Sequence, residues 1–209
     1  TADISHKFDT WSLSGGVEVR EENYRIYKGD EASYTLGSFS SASGAQGFPG
    51  FRPENEVDVS RHNIATYAET TYSLTEWLLA DMAVRAERYT DFGSTLDGKV
   101  ALRAKPHEDW LLRSSASTGF RAPSLAQSHF TYTQMVLDGA NIVTFGNYSV
   151  DDPIARALGA TDLKPEKSNH YTTGMVYQPF SHFSISADYF ITDIRDRIMA
   201  TGYISGYTL

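Results

Sequence analysis

The sequence predicts an all-β chain: an antiparallel meander of about seven strands, forming a segment of a transmembrane β-barrel wall. Three observations predict it. Seven segments alternate apolar and polar residues with period two, the pattern of strands with two unlike faces. Their connections alternate between short and long, as in a meander with turns at one end and loops at the other. Aromatic side chains gather near both strand ends, and the charges between them keep to one face.

The first strand sets Trp11, Leu13, Gly15, Val17 and Val19 against Ser12, Ser14, Gly16, Glu18 and Arg20. The second sets Ile64, Thr66, Ala68, Thr70, Tyr72 and Leu74 against Asn63, Ala65, Tyr67, Glu69 and Thr71. In the third, Leu78, Ala80, Met82, Val84 and Ala86 oppose Leu79, Asp81, Ala83, Arg85 and Glu87. The fourth and fifth show Val100, Leu102, Ala104 and then Trp110, Leu112, Ser114, Ala116 on their apolar sides. The last two show Tyr171, Thr173, Met175, Tyr177 and then Phe183, Ile185, Ala187, Tyr189, Ile191.

Short connections fall at 73–77, 106–110 and 179–182, and a modest one at 92–98. Long ones run from about 28 to 60 and from about 121 to 166, with one helical turn expected at 153–158. Loops of that length in a folded domain usually carry function. Trp11, Trp77 and Trp110 start strands at the short-turn end, while Tyr24, Tyr89, Phe92, Phe120, Tyr189 and Phe190 mark the other end. Glu18, Arg20, Glu69, Asp81, Arg85, Glu87, Lys99, Arg103, Arg113 and Asp188 all fall on the polar faces. A lipid-facing Arg or Lys at mid-membrane would cost about 2–4 kcal/mol, which explains that segregation. Two other readings share the alternation: a soluble β-sandwich, such as a carbohydrate-binding module with its apolar face inward, and an ungated porin-like barrel. Thr66, Thr70 and Ser114 on the apolar side keep the sandwich in play.

Composition removes several function classes. A net charge of −8 leaves no basic stripe for a nucleic-acid partner. The absence of cysteine excludes disulfides, thiol catalysis and thiolate metal sites. No run of about 18 apolar residues exists, so a helical membrane span is out, although strands hide their apolar band from such averages. There is no GxSxG, HExxH, P-loop or GxGxxG motif, and the six histidines are scattered. No enzyme, metal or cofactor is expected.

The run AERYTDFGSTLDGKVALRAKPHEDWLLRSSASTGFRAPSLAQ (86–127), followed by LKPEKSNHYTTGMVY (163–177) and DYFITDIRDRI (188–198), resembles the barrel of TonB-dependent receptors. The order and spacing of R-Y-x-x-F-G, G-F-R-A-P-S-L, L-K-P-E and D-x-I carry the resemblance over about residues 60–200. It implies a bacterial outer-membrane receptor that binds a scarce nutrient (siderophore, cobalamin or oligosaccharide) and imports it with TonB-transmitted energy. The partners it implies are outer-membrane lipid, a plug domain, the TonB energising complex and a nutrient ligand. The family barrel has 22 strands, so residues 1–209 are expected to be part of one, with neither the plug nor the TonB-contacting box in this stretch.

The family-motif residues Phe92, Gly93, Gly119, Phe120, Arg121, Pro123, Leu163, Pro165 and Glu166 read as structural. Pro123 lacks a backbone donor and ends the ladder, Arg121 suits a carboxylate or headgroup partner at the rim, and Pro165–Glu166 re-enters the sheet. Ligand binding falls to the long loops: Tyr34, Phe48, Phe51 and Arg52 in the first, and His129, Tyr132, Gln134, Asn141, Asn147 and Tyr148 in the second. Aromatics interleaved with amides and an arginine suit stacking and hydrogen bonding to a polar ligand.

Overall fold

The computed structural model describes residues 1–38, 43–44, 49–138 and 141–204. Among these, ten strands form: β1 (Ala2–Lys7), β2 (Trp11–Ile26), β3 (Val57–Ser73), β4 (Leu78–Tyr89), β5 (Gly93–His107), β6 (Trp110–Arg121), β7 (Tyr132–Asp138), β8 (Asn141–Asn147), β9 (Glu166–Phe180) and β10 (Phe183–Arg195). Eight make one open sheet in the order β1-β2-β3-β4-β5-β6-β9-β10, and β7 pairs only with β8. One sheet in chain order is a meander, not the two facing sheets of a sandwich. Short helices α1 (Glu31–Tyr34), α2 (Leu125–His129) and α3 (Pro153–Ala157) and a 3-10 turn (Pro53–Asn55) lie in the long connections.

Three features depart from the alternation pattern. β1 is an eighth sheet strand: its sequence, ADISHK, carries one large apolar residue, and its place comes from pairing with Ser12–Val17. The connection expected at 92–98 is strand, because Thr90–Phe92 alone make the turn and Gly93, at φ +98°, takes a conformation that side chains disfavour. Tyr189 and Phe190 do not mark the long-loop end: they pair with Thr173 and Thr172 in the middle of β9.

The chain divides into two compact units. The first comprises residues 1–20, 62–122 and 164–209, and the second residues 21–61 and 123–163. In the first, the registers align the strands' apolar sides in continuous rows. Thr70, Met82, Val100, Ala116, Tyr171 and Ile191 form one row, and Tyr72, Ala80, Leu102, Ser114, Thr173 and Tyr189 the next.

Around Arg85, burial runs opposite to that of a water-soluble sheet. Met82, Val84, Val100 and Leu102 are 45–52 % exposed, whereas the side chains of Glu18 and Glu87 on the polar face are 21 % and 9 % exposed. Arg85 joins the two, its Nη2 lying 3.0 Å from Glu18 Oε2 and its Nε 2.5 Å from Glu87 Oε1. Asn63 Nδ2 and the Tyr89 hydroxyl each donate to Glu87 Oε2 at 3.0 Å. Three hydroxyls on the apolar face bond within the sheet: Thr70 donates to Ser12 O (2.9 Å), Ser114 to Thr172 O (3.2 Å) and Thr173 to Arg113 O (3.4 Å). Bonded this way, they present carbon outward and leave the face apolar.

Aromatic contacts stand at both strand ends. Phe8 stacks on Trp11 at 4.0 Å and Trp110 on Tyr177 at 4.4 Å near the short turns. At the long-loop end Tyr89 stacks on Phe92 at 4.4 Å, with Phe120 edge-on at 5.9 Å.

Candidate functional site

The R-A-P-S segment shows how the sequence launches the second long connection. Pro123 ends the β6 ladder and is buried, and its carbonyl accepts from Arg61 Nη1 at 2.6 Å. Arg61 itself is buried and pairs with Glu22. Ser124 then caps α2: its Oγ accepts from Gln127 N–H (3.1 Å), and Gln127 Oε1 accepts from Ser124 N–H (3.0 Å). This reciprocal box satisfies two donors that a helix start leaves free. Asp152 caps α3 by a single bond, accepting from Ile154 N–H at 2.8 Å ahead of Pro153.

Within the second unit, a cavity of about 450 Å³ is lined by Tyr34, Leu36, Ser43, Arg52, Pro53, Glu54 and Met135. Arg52 and Glu54 are its two charged side chains, of opposite sign. Its backbone N–H donates to Asn55 Oδ1 (3.0 Å), its Nη2 to Ser43 Oγ (3.1 Å), and its Nη1 lies 3.7 Å from Glu54 Oε1. Arg52 Nε is buried and makes no hydrogen bond among the described residues.

An aromatic cluster lies in the same unit. Phe51 stands edge-on to Phe130 (6.3 Å) and to Tyr132 (5.9 Å). Burial pushes the Tyr132 phenol above its ordinary range, and the nearby Arg52 charge works the other way. Asn55, buried, donates from Nδ2 to Thr131 Oγ1 at 3.3 Å and holds this segment.

The sequence-selected residues therefore separate into groups. Tyr34 and Arg52 line the cavity, and Phe51 and Tyr132 form the cluster beside Arg52. Asn147 is used structurally, its Nδ2 donating to Phe130 O at 3.2 Å. Tyr148 covers Gly146, where an added Cβ would stand 2.4 Å from the ring. Gln134 pairs with Phe145 along the β7–β8 hairpin, His129 sits in the last turn of α2, and neither lines the cavity. Asn141 pairs with Asp138 at the hairpin's end. Phe48 lies outside the described residues.

Leu36, Ser43, Pro53, Glu54 and Met135 also line the cavity and were not singled out. The Asp-Gly pair at 138–139, between two stretches with β-branched and aromatic residues, was an available signal for the hairpin that carries Met135.

The family-motif residues are tied together in the first unit. Arg121 donates from Nε and Nη2 to Glu166 Oε2 and Oε1 at 2.9 and 2.6 Å, and Ile198 N–H also donates to Oε1 at 2.8 Å. Glu166 thus joins the end of β6, the start of β9 and the segment after β10. Ser168 Oγ donates to Gly119 O at 3.2 Å, over the face where Gly119 has no side chain. Leu163 and Pro165, half-buried, lead into β9.

The family model for the TonB dependent receptor-like β-barrel matches residues 1–208. Among solved structures, the chain is similar to the siderophore receptor PirA from Pseudomonas aeruginosa (TM-score 0.69, 15 % identity, covering 99 % of this chain and 33 % of that one). PirA from Acinetobacter baumannii gives a TM-score of 0.64 at 16 % identity, over 98 % of this chain and 27 % of that one. The RagAB peptide transporter gives 0.56 at 14 % identity, over 97 % and 24 %. No curated protein matches the sequence. The chain spans about a quarter to a third of the length of these structures, and identities this low show a shared fold.

Proposed function

Because this chain belongs to the TonB-dependent receptor β-barrel family, we propose that it is part of the wall and loops of an outer-membrane receptor that binds a ferric siderophore and imports it with TonB-transmitted energy. The observation that carries this reading is the family match over residues 1–208. The inverted sheet supports it, since an apolar face 45–52 % exposed at Met82, Val84, Val100 and Leu102 suits hydrocarbon as its solvent. The resemblance to siderophore receptors supports the cargo class. The Arg52 cavity supports the loops as the binding element, with Arg52 meeting ligand acceptors and Tyr34 and Tyr132 supplying ring surface. By the same family logic, the polar face meets a plug domain, and TonB engages the parent receptor elsewhere. The reading is one of binding and gated transport, with no chemical step on the ligand.

The test is uptake of labelled ferric catecholate and ferric hydroxamate chelates by cells carrying the full parent receptor, with and without TonB. TonB-dependent uptake of one class is expected, and Arg52→Ala should weaken apparent affinity about tenfold, the scale of a lost charged hydrogen bond, at unchanged surface abundance. Uptake of peptides in place of either chelate would move the cargo to the RagAB-like class. TonB-independent, unsaturable flux would make the protein a porin-like barrel.

A further inference from the structure

Resting on the membrane reading above, we propose that the apolar face carries a fixed seat for one acyl chain of a bilayer lipid, in a trough that runs along β6. The two apolar rows change height as they cross the sheet. Val100 and Leu102 on β5 and Tyr171, Tyr189 and Ile191 on β9 and β10 stand tall, while Ser114 and Ala116 on β6 are short. The result is a cavity of about 390 Å³ floored by β6, with β5 on one side and β9 and β10 on the other. From β5 to β9 is two strand spacings, about 9–10 Å, so the trough is narrow and its long axis follows the strand.

The chemistry of the floor selects hydrocarbon. Of the small hydroxyl residues in the lining, Ser114 and Thr173 donate into backbone carbonyls of the sheet, and Ser115 and Thr172 bond to each other. Lys99, Arg103 and Arg113 alternate onto the opposite face, and the first charge on the trough's own side is Asp193, one row beyond Ile191. One row beyond Ala116 the face turns polar, with Thr118, Asn169 and Asp193 in register and Thr118 accepting the N–H of Gly98.

An acyl chain fits better than a second copy of this wall for two reasons. Barrel strands cross the bilayer tilted by roughly 35–45°, so a trough along a strand follows the general run of the lipid tails. A protein interface carries a polar rim around its apolar centre, and this lining is Val, Leu, Ala, Ile and Tyr with Ser and Thr residues whose hydroxyls bond within the sheet.

The experiment places the full parent receptor in phosphatidylethanolamine vesicles doped with a phosphatidylethanolamine bearing a diazirine on one acyl chain, followed by irradiation and peptide mapping. Labelling of 100–102, 114–116 and 171–173 should exceed labelling at Met82 and Val84 on β4 several-fold. Ala116→Leu, which fills the floor, should remove the excess while leaving label at Met82 and Val84. Ser114→Ala, which keeps the trough open, should retain the excess and guards against a folding effect in the leucine variant. Even labelling along the wall would overturn the seat while leaving the membrane reading intact. An excess that survives Ala116→Leu would also overturn it. An unlabelled trough on a receptor that migrates as a dimer would assign the face to a second copy, and a wall unlabelled throughout would overturn the membrane reading itself.

Discussion

Arg113 on β6 and Asp188 on β10 meet across Gly174 of the intervening strand β9. Arg113 Nε and Nη2 donate to Asp188 Oδ1 at 3.0 and 2.7 Å, and Nη2 also reaches Oδ2 at 2.6 Å. A Cβ on Gly174 would stand 2.0 Å from Asp188 Oδ1 and 2.9 Å from Arg113 Nε. The bridge exists because the middle strand has no side chain there. Gly16 serves the same purpose at the other edge: Tyr67 of β3 donates its hydroxyl to Asp3 of β1 at 2.6 Å over it.

Gly174→Ala should therefore act as an overpacking substitution, costing about 1–3 kcal/mol. Urea unfolding of the parent receptor in vesicles measures this. Asp188→Asn, which removes only a half-exposed ion pair, should cost about 1 kcal/mol or less. Equal losses from the two variants would show that the glycine's lack of a side chain is not the determining feature.

Arg61→Met should loosen the start of the second long connection. It leaves the Pro123 carbonyl, in a buried residue, and the Glu22 carboxylate without the guanidinium that now joins them. Faster chymotryptic cleavage at Phe130, with the folded receptor otherwise intact, is the expected result. An unchanged cleavage rate would mean that the capping box of Ser124 and Gln127 holds the segment alone.

Glu166→Ala should expose the Ile198 amide to exchange. Its N–H donates to Glu166 Oε1 at 2.8 Å, and Arg121 cannot accept in its place. Hydrogen exchange read at residues 196–199 should accelerate, and Arg121→Ala should have a smaller effect because the carboxylate remains. Equal protection in wild type and Glu166→Ala would remove the proposed joint.

Hydroxyls on the apolar face should be replaceable and a charge there should not. Thr70→Val and Thr173→Val remove groups that bond only inward, and folding free energy into vesicles should move by about 0.5 kcal/mol or less. Met82→Arg, on the same face, should cost about 2–4 kcal/mol if it lies near the bilayer middle. A neutral Met82→Arg would place that face against water.

Much of the architecture was legible in the sequence because period-two alternation is local: each residue's face is set by its neighbours along the strand. That is why Met82, Val100 and Tyr171 could be grouped before their strands were paired, and why Arg85 and Glu87 could be placed opposite them. β1 was not legible, because ADISHK has too little apolar contrast to show a face and is held by the edge of β2. The turn at Thr90–Phe92 was hidden because Gly93 and Gly98 blank out the alternation where β5 begins.

The loops divide differently. Their aromatic and amide content made them the expected binding element, and Arg52 could be picked out as a cation among rings. Composition has no geometry, however, so it could not separate Tyr34 and Arg52 at the cavity from Asn147, which holds Phe130 O, or from Tyr148, which covers Gly146.

By itself the sequence determined the seven alternating strands, their two faces and the family motifs, all of which are carried by residues close in the chain. Only the tertiary structure decided which distant residues meet: Arg113 with Asp188 over Gly174, Arg61 with Pro123, Glu166 with Ile198, and the trough along β6. Such contacts depend on strand register, and a one-residue slip would turn every side chain of a strand to the other face. Register is fixed by pairing between segments that lie far apart in the sequence, and no local pattern records it.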